Sequence, residues 1–116
     1  MTIILNQQAL ASARRLLDEG LYMINTVWGT SAPSPEEETH FADQYGWDAY
    51  SGWYLGIDTD EPVDSKARYK FPYGNFRKLH RNGVITAKQR AAQNHCDDMV
   101  EGADELLDLL DLMNAC

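Results

Sequence analysis

The sequence predicts an all-α fold, a compact bundle of four to six helices crossed by an extended aromatic segment around residues 69–74. Three observations lead there. Apolar residues recur at helical spacing near both ends of the chain, as Leu10, Ala13, Leu16 and Leu17 and again as Met99, Ala103, Leu106, Leu110 and Met113. The run Ser34, Pro35, Glu36, Glu37 combines an N-cap, a first-turn proline and a capping-box glutamate, which together start a helix. The segment YKFPY from Tyr69 to Tyr73 contains Pro72, which confines it to an extended or edge conformation.

Taken in order, Asn6 caps the first helix and Gly20 stops it. The apolar run LYMINTVW, from Leu21 to Trp28, is expected to be helical, either continuing after a kink or as a separate short segment. Residues 29–35 read as a loop. The helix begun at Pro35 should reach about Tyr45 and end at Gly46. In WDAYSGWYLGID, Trp47, Tyr50, Trp53 and Tyr54 are spaced to share one face of a short helix packed as an aromatic cluster. Residues 58–65 are acidic, contain Pro62 and read as a surface loop, and the YKFPY segment that follows need not belong to a sheet. Asn75 can cap a turn through Arg81, and Asn82 and Gly83 interrupt it. Val84 to Gln93 forms a helix whose Ala87, Ala91 and Ala92 admit a close neighbour. Asp97 or Asp98 opens the last helix, where Leu107 and Leu109 widen the apolar stripe. Its other face carries Asp104, Glu105, Asp108 and Asp111.

A chain of 116 residues is the size of one domain, expected over 1–116, and can bury a core without disulfides or metal. Its 44% hydrophobic and 24% charged residues exclude the disordered class. The start MTIILNQQAL has no positive residue ahead of a very short apolar stretch, so no secretory leader is expected. No run of about 18 apolar residues exists to span a membrane. With Cys96 and the terminal Cys116 poorly placed for a structural disulfide, a reducing, cytoplasmic location and no membrane contact are the expectation.

The net charge of -8 is segregated along the chain. Residues 1–64 hold Arg14 and Arg15 against eleven acids. Residues 65–96 hold Lys66, Arg68, Lys70, Arg77, Lys78, Arg81, Lys88 and Arg90 with no acid, and the remainder holds seven acids with no base. Such a block can form a polyanion-binding face. It can also dock on the acidic last helix, and the negative charge around it would repel nucleic acid from most approaches.

The blocks W-x-x-Y-x-x-W-Y-L-G-I-D, K-x-R-Y-K-F-P-Y-G-N-F, H-R-N-G-V-I-x-A-K-Q-R-A-A-Q and A-D-E-L-L follow one another between Trp47 and Leu110. In this order they resemble a family of small uncharacterised bacterial proteins. YKFPYGN followed by an alanine-rich helix is also similar to short segments of phage head-module proteins. The family resemblance implies a compact stand-alone domain and brings no catalytic residues with it.

Candidate chemistry is sparse. Glu37 and His40 stand at i and i+3, the spacing of di-iron carboxylate helices, but no second Glu-x-x-His exists, and a capping glutamate beside a surface histidine explains the pair as well. His80, His95, Cys96 and Asp97 match no structural zinc spacing. His95 precedes Cys96, but adjacent helical residues diverge, which is poor geometry for a base and its thiol. Phosphate-loop, dinucleotide and nucleophile-elbow glycine motifs are missing, and no cofactor is expected.

The strongest functional stretch runs from Tyr69 to Arg90, where aromatic and basic residues interleave. Rings beside cations can hold an acidic peptide or a single strand. Equally, the rings can anchor the segment in the core while Lys and Arg stems cover them. The expectation is a noncatalytic interaction module that binds an acidic protein partner, or a second copy as a homo-oligomer. Tyr73 and Phe76 would serve as anchors, and Arg77, Lys78, Arg81, Lys88 and Arg90 would supply the charge. A nucleic-acid-binding protein and a metal-dependent enzyme at Glu37 and His40 are the alternatives.

Overall fold

Residues 2–113 are described by the computed structural model, and Cys116 lies outside them. The first helix, α1 (Gln7–Asp18), forms where the spacing placed it, with the Asn6 side chain accepting from the Ala9 N–H. Asn6 is also buried, and its amide donates to the carbonyls of Ser51 (2.9 Å) and Tyr54 (3.1 Å). A single cap residue thus ties the start of α1 to the middle of the chain. Gly20 ends the helix in the left-handed region, at φ 74°.

The all-α reading is overturned by five short strands among the described residues. β1 (Ile3–Leu5), β3 (Tyr54–Asp58) and β4 (Tyr69–Pro72) form an antiparallel sheet in the order β1-β3-β4, with Ile4 opposite Ile57 and Ile57 opposite Tyr69. β2 (Tyr22–Met23) pairs in parallel with β5 (Leu79–His80). The spacing that puts Trp53 and Tyr54 on the aromatic helix face with Trp47 and Tyr50 is corrected here: the helix stops at Ser51, and Tyr54 begins the central strand. β4 is an edge strand, a position in which Pro72 can sit without costing a ladder hydrogen bond. The run from Leu21 to Val27 is likewise not helical. It supplies β2 and then bends, and the short α2 (Trp28–Ser31) begins at the last residue of the expected helical run and extends into the expected loop.

Ser34 and Glu37 form the reciprocal capping box at the start of α3 (Pro35–Ser51). Gly46 breaks α3 at φ 84°, ψ 169°, so residues 35–45 and 47–51 are two helical pieces. A 3-10 turn at Lys66–Arg68 leads into β4. α4 (Arg81–Gln93) starts three residues before the expected Val84, and α5 (Asp97–Met113) follows after a turn in which His95 takes φ 57°. Ala87 and Ala91 are buried and let α4 approach its neighbours closely; Ala92 is exposed.

The main core is aliphatic. Leu10, Leu16 and Leu17 of α1, Leu55 and Leu79 of the strands, Val84 of α4 and Leu106 and Leu110 of α5 pack together with Phe71 and Tyr73. A second cluster, of Tyr50, Tyr54 and Tyr69 with Ala42, Phe41, Trp47 and Phe76 against them, gathers around α3. Arg14 of α1 makes a two-pronged ion pair with Glu105 of α5, at 2.9 and 2.7 Å, and the guanidinium holds the Glu105 carboxyl below its ordinary range. Among the described residues no helix is long and apolar enough to cross a membrane.

Candidate functional site

The first half of α3 rests on the body mainly through ring contacts. Phe41 stacks on Phe76 with centroids 4.4 Å apart and planes 10° apart. Phe76 in turn lies within 5.8 Å of Tyr50 and 6.0 Å of Trp53. Tyr50 and Tyr54 stack at 4.7 Å, and their hydroxyls lie 2.9 Å apart. The Tyr54 hydroxyl donates to the Glu38 carboxylate at 2.6 Å. Burial pushes the Tyr50 phenol up to about 12, and burial with the bond to Glu38 pushes Tyr54 higher still. Both therefore remain protonated donors, and the network positions α3 rather than supplying a base.

Opposite α3 lies a tight turn, closed by the Gly74–Leu79 bridge and by the Asn75 N–H donating to the Lys78 carbonyl at 3.2 Å. The Asn75 side chain accepts from the backbone N–H groups of Arg77 and Lys78. Gly74 is required here, because a Cβ would fall 2.5 Å from the Lys78 carbonyl oxygen and 2.6 Å from the Trp53 ring. Phe76, at the first central position, has φ 68°, a conformation that turns of this kind normally reserve for glycine. The ring stacking around Phe76 offsets that backbone cost, since such pairs contribute about 0.5–1.5 kcal/mol each beyond area burial.

Between α3 and this turn is an open groove of about 640 Å³. Phe41, Tyr45 and Phe76 give it an apolar floor and side, Glu36, Glu37 and His40 line it from α3, and Asn75 and Arg77 line it from the turn. The groove thus joins the end of the aromatic and basic stretch with the Glu37 and His40 pair. Glu37 is occupied in the capping box, its carboxylate accepting from the Ser34 N–H. No group of three or more His, Cys, Asp or Glu side chains that could hold a metal is present among the described residues.

The predicted partner-binding residues separate in the structure. Tyr73 is completely buried, donates its hydroxyl to the Gly52 carbonyl at 2.7 Å and stacks on Trp53, so its assignment as a partner anchor is corrected to a core residue. Phe76 is half-buried in the groove floor, and Arg77 and Lys78 are exposed on the turn. Arg81 and Lys88 face α5 instead, pairing with Asp111 at 3.5 Å and Asp104 at 2.5 Å. Arg90 is exposed on α4, roughly 14 Å of helix beyond Arg81, and does not line the groove. Lys66 and Arg68 bond to backbone carbonyls of Pro35 and Glu61. Half of the basic block is therefore committed within the fold, and the groove rim is of mixed sign rather than a basic stripe.

His80 and Cys96 stand at opposite ends of α4, about 20 Å apart by helical rise, which separates the zinc candidates. His80 is buried. Its Nδ1 shares a hydrogen bond with the Thr26 hydroxyl at 2.8 Å, its Nε2 has no partner among the described residues, and burial lowers its pKa. Burial and the nearby Asp97 and Asp98 push the Cys96 thiol up, the reverse of an activated nucleophile.

Phe41, Tyr45 and Glu36 were absent from the sequence-based site. Phe41 and Tyr45 sit four apart on the expected helix, which places them on one face, and their rings lie 4.8 Å apart. That spacing was a readable signal. No family model, curated protein or solved structure matches the chain.

Proposed function

We propose that this chain is a noncatalytic protein-interaction module whose binding site is the groove between the first half of α3 and the turn at residues 75–78. An apolar side chain of the partner lies against Phe41, Tyr45 and Phe76, and an acidic group faces Arg77 and Lys78. The supporting observation is the stacked Phe41–Phe76 pair lining an open groove, with Phe76 at a positive φ and the exposed Arg77 on the groove's rim. Aromatic and arginine side chains in a concave, partly dry site are the groups that dominate protein interfaces.

A tagged pull-down read by mass spectrometry tests this, with the wild-type chain compared to Tyr45→Ala and to Arg77→Ala with Lys78→Ala. Proteins retained by the wild type should fall by about tenfold or more with each variant, the loss of roughly 1.4 kcal/mol expected of an interface anchor. Equal recovery by all three would overturn the proposal.

A further inference from the structure

The two sides of the groove carry opposite charge. Glu36 and Glu37 stand exposed on the first turn of α3, and Arg77 stands exposed on the facing turn. In a two-fold contact one patch meets itself, so each residue of one copy faces its counterpart's partner in the other, and the reverse. A patch of one sign is repelled by its own copy. A patch with acid on one side and base on the other is complementary to itself.

The apolar part of the groove has the same property. Tyr45 is 65% exposed at its edge, next to the floor formed by Phe41 and Phe76. A tyrosine of this kind supplies a large rigid surface with a polar tip, suited to filling a neighbour's half-open cavity. Arg81 and Lys88 are paired with Asp111 and Asp104 of α5 and so are not free to face a partner.

We propose that the occupant of the groove is a second copy of this chain, in a two-fold dimer where Arg77 of each copy meets Glu36 of the other and the two Tyr45 rings enter the facing grooves. This rests on the groove being an interaction surface, and it names the partner. Glu37 is set aside as the acceptor because the Ser34 cap already holds it.

Sedimentation equilibrium from about 1 to 500 μM at 0.15 M salt tests the pairing, with circular dichroism to confirm that each variant is folded. The wild-type mass should rise from 13.1 kDa toward twice that value. Arg77→Glu and Glu36→Lys should each weaken dimerisation at least tenfold, because each sets like charges opposite one another twice. An equimolar mixture of the two variants should recover a heterodimer, since both reciprocal pairs are then restored. A wild type that stays monomeric, a dimer indifferent to both reversals, or a mixture that does not recover overturns the second-copy proposal. If it falls while the pull-down still depends on Tyr45 and Arg77, the groove remains an interaction surface for another protein. If both fail, the groove reading fails with it.

Discussion

Tyr54 and Leu55 are neighbours on β3, yet they belong to two differently built cores. Leu55 joins the aliphatic core, where Leu79, Val84, Leu106 and Leu110 are almost wholly excluded from water and α1, α4 and α5 close over them. Tyr54 joins the aromatic cluster, where rings meet at fixed angles, hydroxyls chain to Glu38, and the packing ends at an open groove. Aliphatic side chains carry no direction, so they stabilise by filling volume and must be enclosed. Aromatic rings hold one another by faces and edges and carry polar tips, so a cluster of them can stop at a surface and stay ordered. The difference leaves one region enclosed and the other open to solvent at its edge.

Leu106→Ala is the largest expected break in this picture. Leu106 is completely buried, and its truncation should cost about 2–5 kcal/mol, read as a lowered urea midpoint with loss of both regions together. That is a large share of the 5–15 kcal/mol typical of a whole domain. Loss of α3 alone, with α1, α4 and α5 intact, would show that the aliphatic core does not carry the fold.

Tyr54→Phe should do less and act locally. It removes the 2.6 Å bond to a half-exposed carboxylate that water can partly replace, at a cost of about 1 kcal/mol. Amide hydrogen exchange should accelerate in residues 35–45 and leave α5 unchanged. Equal acceleration in both would contradict the separation of the two regions.

The smallest effect concerns His80, which belongs to neither cluster but pins residues 22–28 through Thr26 and the Trp28 ring. Its folded pKa is lowered by burial and by Lys78, so below its ordinary value of 6.5 the unfolded chain takes up a proton that the folded chain resists. This contribution to stability is present above pH 6.5 and is lost as pH falls from there toward the lowered folded value, with a slope of at most about 1.4 kcal/mol per pH unit. In His80→Gln that part of the pH dependence should vanish. An unchanged slope would place its origin elsewhere.

The two regions also differ in how legible they were. α1, α3 and α5 could be read because their signals are local, as the Asn6 cap, the Ser34–Glu37 box and the four-and-three stepping of Met99, Ala103, Leu106 and Leu110 all act within a turn or two. The aromatic cluster around Trp47 and Tyr50 was also foreseen, but the matching spacing of Tyr54 hid the change from helix to strand. In the groove, Phe41 and Tyr45 could have been found from their separation of four. Their meeting with Phe76 could not, nor could the turn of Arg81 and Lys88 toward α5, because those contacts join residues far apart in the chain.

By itself, then, the sequence determined the principal helices, their caps and the alternation of acidic and basic segments, and it marked Tyr69–Pro72 as an edge segment, though not the φ of 62° that Phe71 takes within it. Each depends on backbone geometry or composition within a few residues. Only the tertiary structure decided that Ile3–Leu5 and Tyr22–Met23 are strands, that Tyr73 is core, that Arg81 and Lys88 turn to α5 and that Arg77 reaches the groove. A two- or three-residue strand has too few positions to show alternation, and its hydrogen bonds exist only once a partner from across the chain lies beside it.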